Sequence, residues 1–285
     1  MQYLNLGCGS RYHPDWINID IFSSGPDVIA HDLRKGIPLP DCSCEVVYHS
    51  HMIEHFRRDD AILFIKECFR VLKPGGIIRV AAPDSEAIAR IYLEKLAALR
   101  DGDYSQEPDY EWILLEMYDQ TVREKSGGQM LSYLRHYPLS NESFMLNRIG
   151  EECRNVIAFV DTPPVNLKNR IQHISLKKIQ HYIIASIKKF RNTILARIIL
   201  GSHGKRALEI GQFRLSGEIH QWMYDSYSME KLLISAGFRN VVKLQANESM
   251  IPEYESYHLD IVSDGSIRKP DSFYMEAIRP KGTSA

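Results

Sequence analysis

Gly7 and Gly9 flank Cys8 in the run Leu4-Asn5-Leu6-Gly7-Cys8-Gly9-Ser10, directly after a short apolar stretch. Glycines at that spacing let a chain turn tightly and bring its backbone close to a ligand. Alone, the pair is as readily an ordinary turn as a binding loop. Asp20 follows 13 residues after Gly7, at the end of Ile17-Asn18-Ile19-Asp20. A carboxylate at a strand end can accept two hydrogen bonds from a ribose diol. The spacing is shorter than the ~20 residues of a dinucleotide fold. It predicts an irregular connection through Pro14 in place of a full helix, with a plain surface aspartate as the competing reading. Three further runs stand in order: Ala30-His31-Asp32-Leu33, then Val46-Val47-Tyr48-His49-Ser50-His51-Met52-Ile53-Glu54-His55, then Arg70-Val71-Leu72-Lys73-Pro74-Gly75-Gly76 ahead of a strand and Pro83-Asp84.

These residues need a scaffold that gathers strand ends. Short apolar runs at Tyr3–Leu6, Ile17–Ile21, Val28–His31, Val46–Tyr48 and Ile77–Ala82 read as strands. A helix is predicted over Asp59–Leu72, with Ile62, Ile65, Phe69 and Leu72 on its apolar face and Pro74-Gly75-Gly76 as its stop. The alternation predicts an α/β fold: a Rossmann-like, mostly parallel sheet with flanking helices. Beyond Asp84 the pattern turns helical, with candidates at Ser85–Arg100, Tyr110–Lys125 and Leu176–Leu200. Met229–Ala236 reads as a helix ended by Gly237, and Phe238–Leu244 and Phe273–Ile278 as closing strands. The expected organisation is a cofactor-binding part over 1–85, a helical insertion or lid over 86–212 after strand five, and completion of the sheet domain over 213–285. No internal repeat is found.

The five runs together resemble the methyltransferase type 11 branch of the class I S-adenosylmethionine-dependent methyltransferases. LNLGCGS resembles its glycine-rich first motif, INID its ribose-binding strand end, and HDL its adenine-side motif. VVYHSHMIEH resembles its fourth strand and the helix after it, and RVLKPGGIIRVAAPD the next helix-turn-strand. Two positions depart from the pattern: Asn5 stands where an acid is common before the glycines, and Ser10 or Arg11 occupies the third glycine position. The resemblance implies S-adenosyl-L-methionine as cofactor. It implies that Gly7, Cys8 and Gly9 pass under the methionine part, with Asn5 able to hydrogen-bond the amino-acid end. Asp20 would take the ribose, Asp32 and Leu33 would flank the adenine, and Ser50 and His51 would face the methyl.

A sulfonium is already electrophilic, so the protein's task is to align an acceptor and remove its proton. Histidine suits that task near neutral pH, but the chain has 11 of them. His220, in His220-Gln221-Trp222-Met223-Tyr224-Asp225, and Asp84, just past the fifth strand, are the expected catalytic residues. His51 is read equally as a cofactor contact and as structural, and His55 as capping or orienting the following helix. Glu116, Asp119, Gln120 and Arg123 share one helix face, read as solvated with an internal Glu116–Gln120–Arg123 cluster, or else as a polar lid wall over a hydroxylated substrate. Resemblance of the His220–Asp225 segment and of the Lys269-Pro270-Asp271-Ser272-Phe273-Tyr274 end implies O-methylation of a sugar or glycan in surface polysaccharide synthesis. A small natural product as acceptor is the alternative, as is a catalytically silent adaptor.

The chain has 285 residues, 44% apolar and 25% charged, with a formal net charge of -1. These are the proportions of an ordinary soluble domain. Its five cysteines lack zinc spacing, so reduced thiols in the cytoplasm are expected, and no metal. No signal peptide and no transmembrane run is read. Residues 162–208 carry ten Lys or Arg and no Asp or Glu. Within them Leu176, Ile179, Ile183, Ile187, Phe190, Ile194 and Ile198 form an apolar stripe. Peripheral contact with an anionic inner membrane face through 176–200 is one reading; a lid packed on the domain is the other. No nucleic-acid module is recognised, and the sequence leaves the oligomeric state open.

Overall fold

The computed structural model describes residues 2–136, 138–161 and 198–282. Seven strands form one sheet: β1 (Tyr3–Leu6), β2 (Ile17–Asp20), β3 (Val28–Ala30), β4 (Cys44–Ser50), β5 (Leu72–Pro83), β6 (Arg239–Leu244) and β7 (Ser272–Ile278). Their spatial order is β3-β2-β1-β4-β5-β7-β6. The first five pair in parallel, and β7 runs antiparallel between β5 and β6. This is the Rossmann-like sheet expected from the sequence. Strand order reverses between β1 and β4, and such a switch point leaves a crevice at the carboxyl ends of the strands. Gly7, Asp20 and His51 all follow or close strands at that edge.

Alternation along the strands divides the core. Leu4, Leu6, Val47, Ile78, Val80, Phe273 and Met275 face one side. There they meet α1 (Arg58–Val71) and α6 (Ser226–Ser235), through Phe64, Ile65, Met229 and Leu233. Tyr3, Val46 and Tyr48 face the other side, against Trp16, Ile251, Tyr254 and Leu259. Each buried side chain of this size contributes roughly 1.5–3 kcal/mol. The buried stripe of α1 is Ala61, Phe64, Ile65, Cys68 and Val71. It is rotated from the expected face, and Ile62 and Phe69 lie at its margin, partly buried against the same core. The helix ends before Pro74-Gly75-Gly76, since Leu72 already pairs with Cys44 in the sheet. Arg279 donates to the carbonyls of Phe69, Arg70 and Leu72 and so caps the helix end.

Helices α2 (Ser85–Arg100), α3 (Glu107–Val122), α4 (Gly128–Leu134) and α5 (Glu142–Asp161) follow β5. They have their own small core of Trp112, Leu134, Met145, Ile149 and Cys153. Helix α5 kinks at Gly150, whose φ is 52°. A Cβ there would lie 2.7 Å from the Arg268 carbonyl oxygen and from Pro270. Only glycine lets α5 press against that loop. The solvated face expected on α3 is buried instead. Glu116 accepts from the Trp112 indole and pairs with Arg148, and Asp119 pairs with Arg123 and receives the amide of Gln129. Their partners lie on α4, α5 and residue Glu218, distant in sequence. The membrane or lid reading of 176–200 falls on residues that lie, up to 197, outside the described ones.

His49 in β4 is fully buried against Phe64, and neither ring nitrogen has a partner among the described residues. Burial pushes its pKa down to about 3. The unfolded chain therefore binds a proton below pH ~6.5 that the folded chain refuses, so stability falls as pH drops from 6.5 toward 3. Between pH 7 and pH 5 this one group removes about 2 kcal/mol. In His49→Leu the stability difference between those pH values should shrink by that amount in urea unfolding. An unchanged difference would place the acid sensitivity elsewhere.

Candidate functional site

The turn after β1 is built by Gly7 and Gly9, with φ of 65° and 55°. A Cβ on Gly7 would lie 2.9 Å from Met52 Cγ. The amide of Gly7 donates to the Ile19 carbonyl at 2.8 Å, and Asp20 Oδ2 accepts from the Gly9 amide at 2.8 Å. The acid expected to meet a ribose thus also fastens the glycine turn to β2. Cys8 is buried, and burial together with the Asp20 charge pushes its thiol up to about 12, so it is an unreactive wall residue. The Asn5 amide nitrogen donates to the Arg11 carbonyl and to Asn18 Oδ1.

Three cavities meet here. One of about 350 Å³ lies over the glycine turn and includes Asn5, Gly7, Cys8, Gly9, Ser50 and His51. Arg268 and Lys269 close it from the loop pressed on Gly150, and Arg268 donates to Ser50 Oγ at 3.0 Å. A second, of about 260 Å³, holds Gly7, Asp20, Asp32, Leu33, His51 and Met52. Asp32 caps the short helical turn Leu33–Lys35 and forms a two-bond pair with Arg34, which holds its carboxyl below the usual range. A third, of about 400 Å³, lies between the sheet edge and the helical part and includes His51, Glu54, His55, Gln120, His220 and Asp271. His51 lines all three.

The histidines converge around one carboxylate. Glu54 is fully buried, and neither oxygen receives a hydrogen bond among the described residues. His51 Nδ1 stands 3.5 Å from Glu54 Oε1, and His220 Nε2 stands 3.9 Å from it. Burial pushes the Glu54 carboxyl up to about 8 and holds the His51 and His220 imidazoles well below their usual value. The rings of His55 and His220 meet edge to face, 5.0 Å apart. Asp271 is half-buried on the third cavity, and desolvation, then the Glu116 charge, pushes it up to about 6.

Of the expected residues, Asn5, Gly7, Cys8, Gly9, Asp20, Asp32, Leu33, Ser50, His51 and His220 all line this connected set of cavities. Asp84 does not. Its Oδ1 accepts from the amides of Glu86 and Ala87 as the cap of α2, and its Oδ2 faces Lys243 at 3.5 Å. The Ser-Glu-Ala-Ile run that follows Asp84 is a helix-start signal, and it competes with any reading of that acid as catalytic. Glu54, Arg268, Lys269 and Asp271 line the same cavities, and the sequence does not single them out as candidates. Glu54 carries a signal, following the apolar Met52 and Ile53 just beyond a buried strand.

Residues 10–80 match the methyltransferase domain family designated type 11. A Mycolicibacterium smegmatis protein described as a probable S-adenosylmethionine-dependent methyltransferase is 38% identical over 98 residues, covering 28% of this chain and 37% of that protein. A Mycobacterium tuberculosis protein of the same description is 30% identical over 98 residues, covering 28% and 35%. The chain thus spans about a third of the length of the curated relatives it matches. Among solved structures, an S-adenosylmethionine-dependent methyltransferase from Archaeoglobus fulgidus aligns over 97% of this chain and 85% of its own, at 11% identity and a TM-score of 0.36. The sheet order is Rossmann-like, and Gly7, Asp20 and Asp32 gather in one cavity at its switch point. Residues 10–80 are thus similar to a class I S-adenosylmethionine-dependent methyltransferase domain of the type 11 branch, a family whose cofactor is S-adenosyl-L-methionine.

Proposed function

We propose that the protein transfers a methyl group from S-adenosyl-L-methionine to a hydroxyl of a sugar or glycan. The carrying observation is that His51 lines three cavities at once. The first two suit an extended cofactor running from the glycine turn to Asp20 and Asp32, and the third suits the acceptor. The glycine turn fits a close-lying ligand at Gly9, where a Cβ would meet nothing within 4 Å and would project into open space beside the first cavity.

The bound cofactor supplies an electrophilic methyl carbon on a sulfonium. The acceptor oxygen bonds to that carbon as the carbon–sulfur bond breaks, which leaves a neutral thioether and a hydroxyl proton to remove. Asp271, with its carboxyl pushed up to about 6, is largely ionised at pH 7 and stands on the acceptor wall. It is the proposed proton acceptor. Ser272 Oγ donates to Asp271 at 3.3 Å and meets His51 Nε2 at 2.7 Å, which ties this carboxylate to the strand-four edge. Beside the apolar Met130, Leu131, Leu134 and Ile149, this cavity presents Gln120, Arg123, Glu152, Glu218 and Lys269, which offer donors and acceptors to several hydroxyls and support a sugar as acceptor.

Labelled S-adenosylmethionine offered with sugar nucleotides and lipid-linked glycans should label a glycan. Labelling confined to apolar natural products would replace the acceptor class. Asp271→Asn should reduce turnover at least ~100-fold while leaving S-adenosylhomocysteine affinity unchanged. Undiminished turnover would remove Asp271 as the proton acceptor.

A further inference from the structure

We infer that Glu54, His55 and His220 form a binding site for a first-row divalent transition cation, open toward the acceptor cavity. One ligand atom from each residue falls within a set whose members all lie within 4.8 Å of one another. Two imidazoles and a carboxylate suit Zn²⁺, Fe²⁺ and their neighbours, and three protein ligands leave a position free for another molecule.

The hydrogen-bond pattern points to the same conclusion. His55 Nδ1 lies 3.0 Å from the Ile219 carbonyl. A carbonyl only accepts, so Nδ1 carries the proton and Nε2 presents its lone pair. A carbonyl held against the far ring nitrogen in this way fixes the tautomer and orientation of a ligating histidine. His220 Nδ1 lies 3.4 Å from Met223 Sδ, a weak acceptor, so Nε2 is again the bare nitrogen. It faces Glu54 Oε1 at 3.9 Å. Acceptors therefore confront one another, and both Glu54 oxygens are buried without a donor among the described residues. Buried polar groups without partners are costly. A proton on Glu54 bridges at most one of the imidazoles, whereas a cation is met by all three groups at once.

The sequence expectation of no metal rested on the absence of closely spaced ligands. Glu54 and His55 are adjacent, and the third ligand arrives from position 220 only in the fold. His220 is held there by its own amide, which donates to the Gln120 carbonyl, and by the Gln221 amide, which donates to the Glu54 carbonyl. All three ligand residues line the cavity that also holds Asp271. A hydroxyl bound there would give up its proton more readily, with His220 as ligand and Asp271 as proton acceptor. This role rests on the methyl-transfer reading; the metal site itself does not.

Cobalt(II) is the probe. Untagged, chelator-treated protein should bind one equivalent of Co²⁺ and gain visible d–d absorption, without the near-ultraviolet thiolate charge transfer that Cys42 or another thiol would give. The isosteric Glu54→Gln, and separately His55→Gln and His220→Asn, should each weaken Co²⁺ at least ~10-fold, in protein shown folded by circular dichroism. No d–d spectrum, a thiolate band, or full affinity retained in Glu54→Gln would overturn the site. The readout involves no turnover, so failure here leaves the methyl-transfer reading standing, and an inactive enzyme that binds cobalt leaves the site standing.

Discussion

Replacing Arg79 by methionine is expected to cost about 3–5 kcal/mol of folding stability, or roughly 10 °C in Tm. Arg79 is fully buried in β5, on the face opposite α1. Its Nε donates to Asp260 at 2.8 Å and its Nη1 to Glu276, also at 2.8 Å. The remaining donors reach the carbonyls of Glu248 and Ala246. The guanidinium lies 4.3 Å from the ring centre of Tyr254 and 5.4 Å from that of Tyr274. Hydroxyls of Tyr48 and Tyr254 donate to Asp260, and the Met250 amide donates to Glu276. Methionine fills much of the same space but leaves the buried Asp260 and Glu276 carboxylates without the guanidinium that binds both. Most of the expected loss is that desolvation penalty. The double variant Arg79→Met/Glu276→Gln should therefore lose less than the sum of the single changes. Urea unfolding of the three variants measures both quantities. A loss under ~1 kcal/mol would mean that the network contributes little beyond packing.

That network also explains what the sequence could and could not disclose. Gly7, Asp20 and Ser50 close strands within the first 50 residues, where apolar runs and punctuation lie side by side in the chain. In a parallel sheet those local signals also form the candidate site, because the strands deliver their carboxyl ends to one edge. The side proposed for the acceptor is assembled from far apart. Asp271 arrives on a loop held down by the Asp260–Arg79 pair and by the close approach at Gly150, and nothing in the residues near Asp271 announces either contact. The polar face of α3 has a solvated pattern in sequence because its partners, Arg148 and Glu218, are 32 and 95 residues away from the groups they meet. Asp84 lies apart from these cavities. A lone acid past a strand is compatible with a catalytic site and with a helix cap, and the amides of Glu86 and Ala87 engage its Oδ1 as a cap.

Cofactor affinity should depend most sharply on Asp20. The intact protein is expected to bind S-adenosylmethionine and S-adenosylhomocysteine in the micromolar range, about -7 to -8 kcal/mol. Asp20 Oδ2 accepts from the Gly9 amide at 2.8 Å and Oδ1 from the Phe22 amide at 3.3 Å. A carboxylate has about four lone-pair sites, so two remain for a diol in the cavity that Asp20 shares with Asp32 and His51. Hydrogen bonds to a charged group are worth about 1.5–3 kcal/mol. Asp20→Ala should therefore weaken both ligands by roughly 10- to 150-fold. It also releases the Gly9 amide, so part of the loss comes from a looser turn. Asp20→Asn separates the two contributions, since it retains an oxygen for the Gly9 amide but loses the charge and one acceptor. Calorimetry should rank the affinities wild type, then Asp20→Asn, then Asp20→Ala, with the folded structure retained in all three. If Asp20→Ala binds S-adenosylhomocysteine as tightly as the wild type, the ribose is held elsewhere and Asp20 serves only to brace the glycine turn.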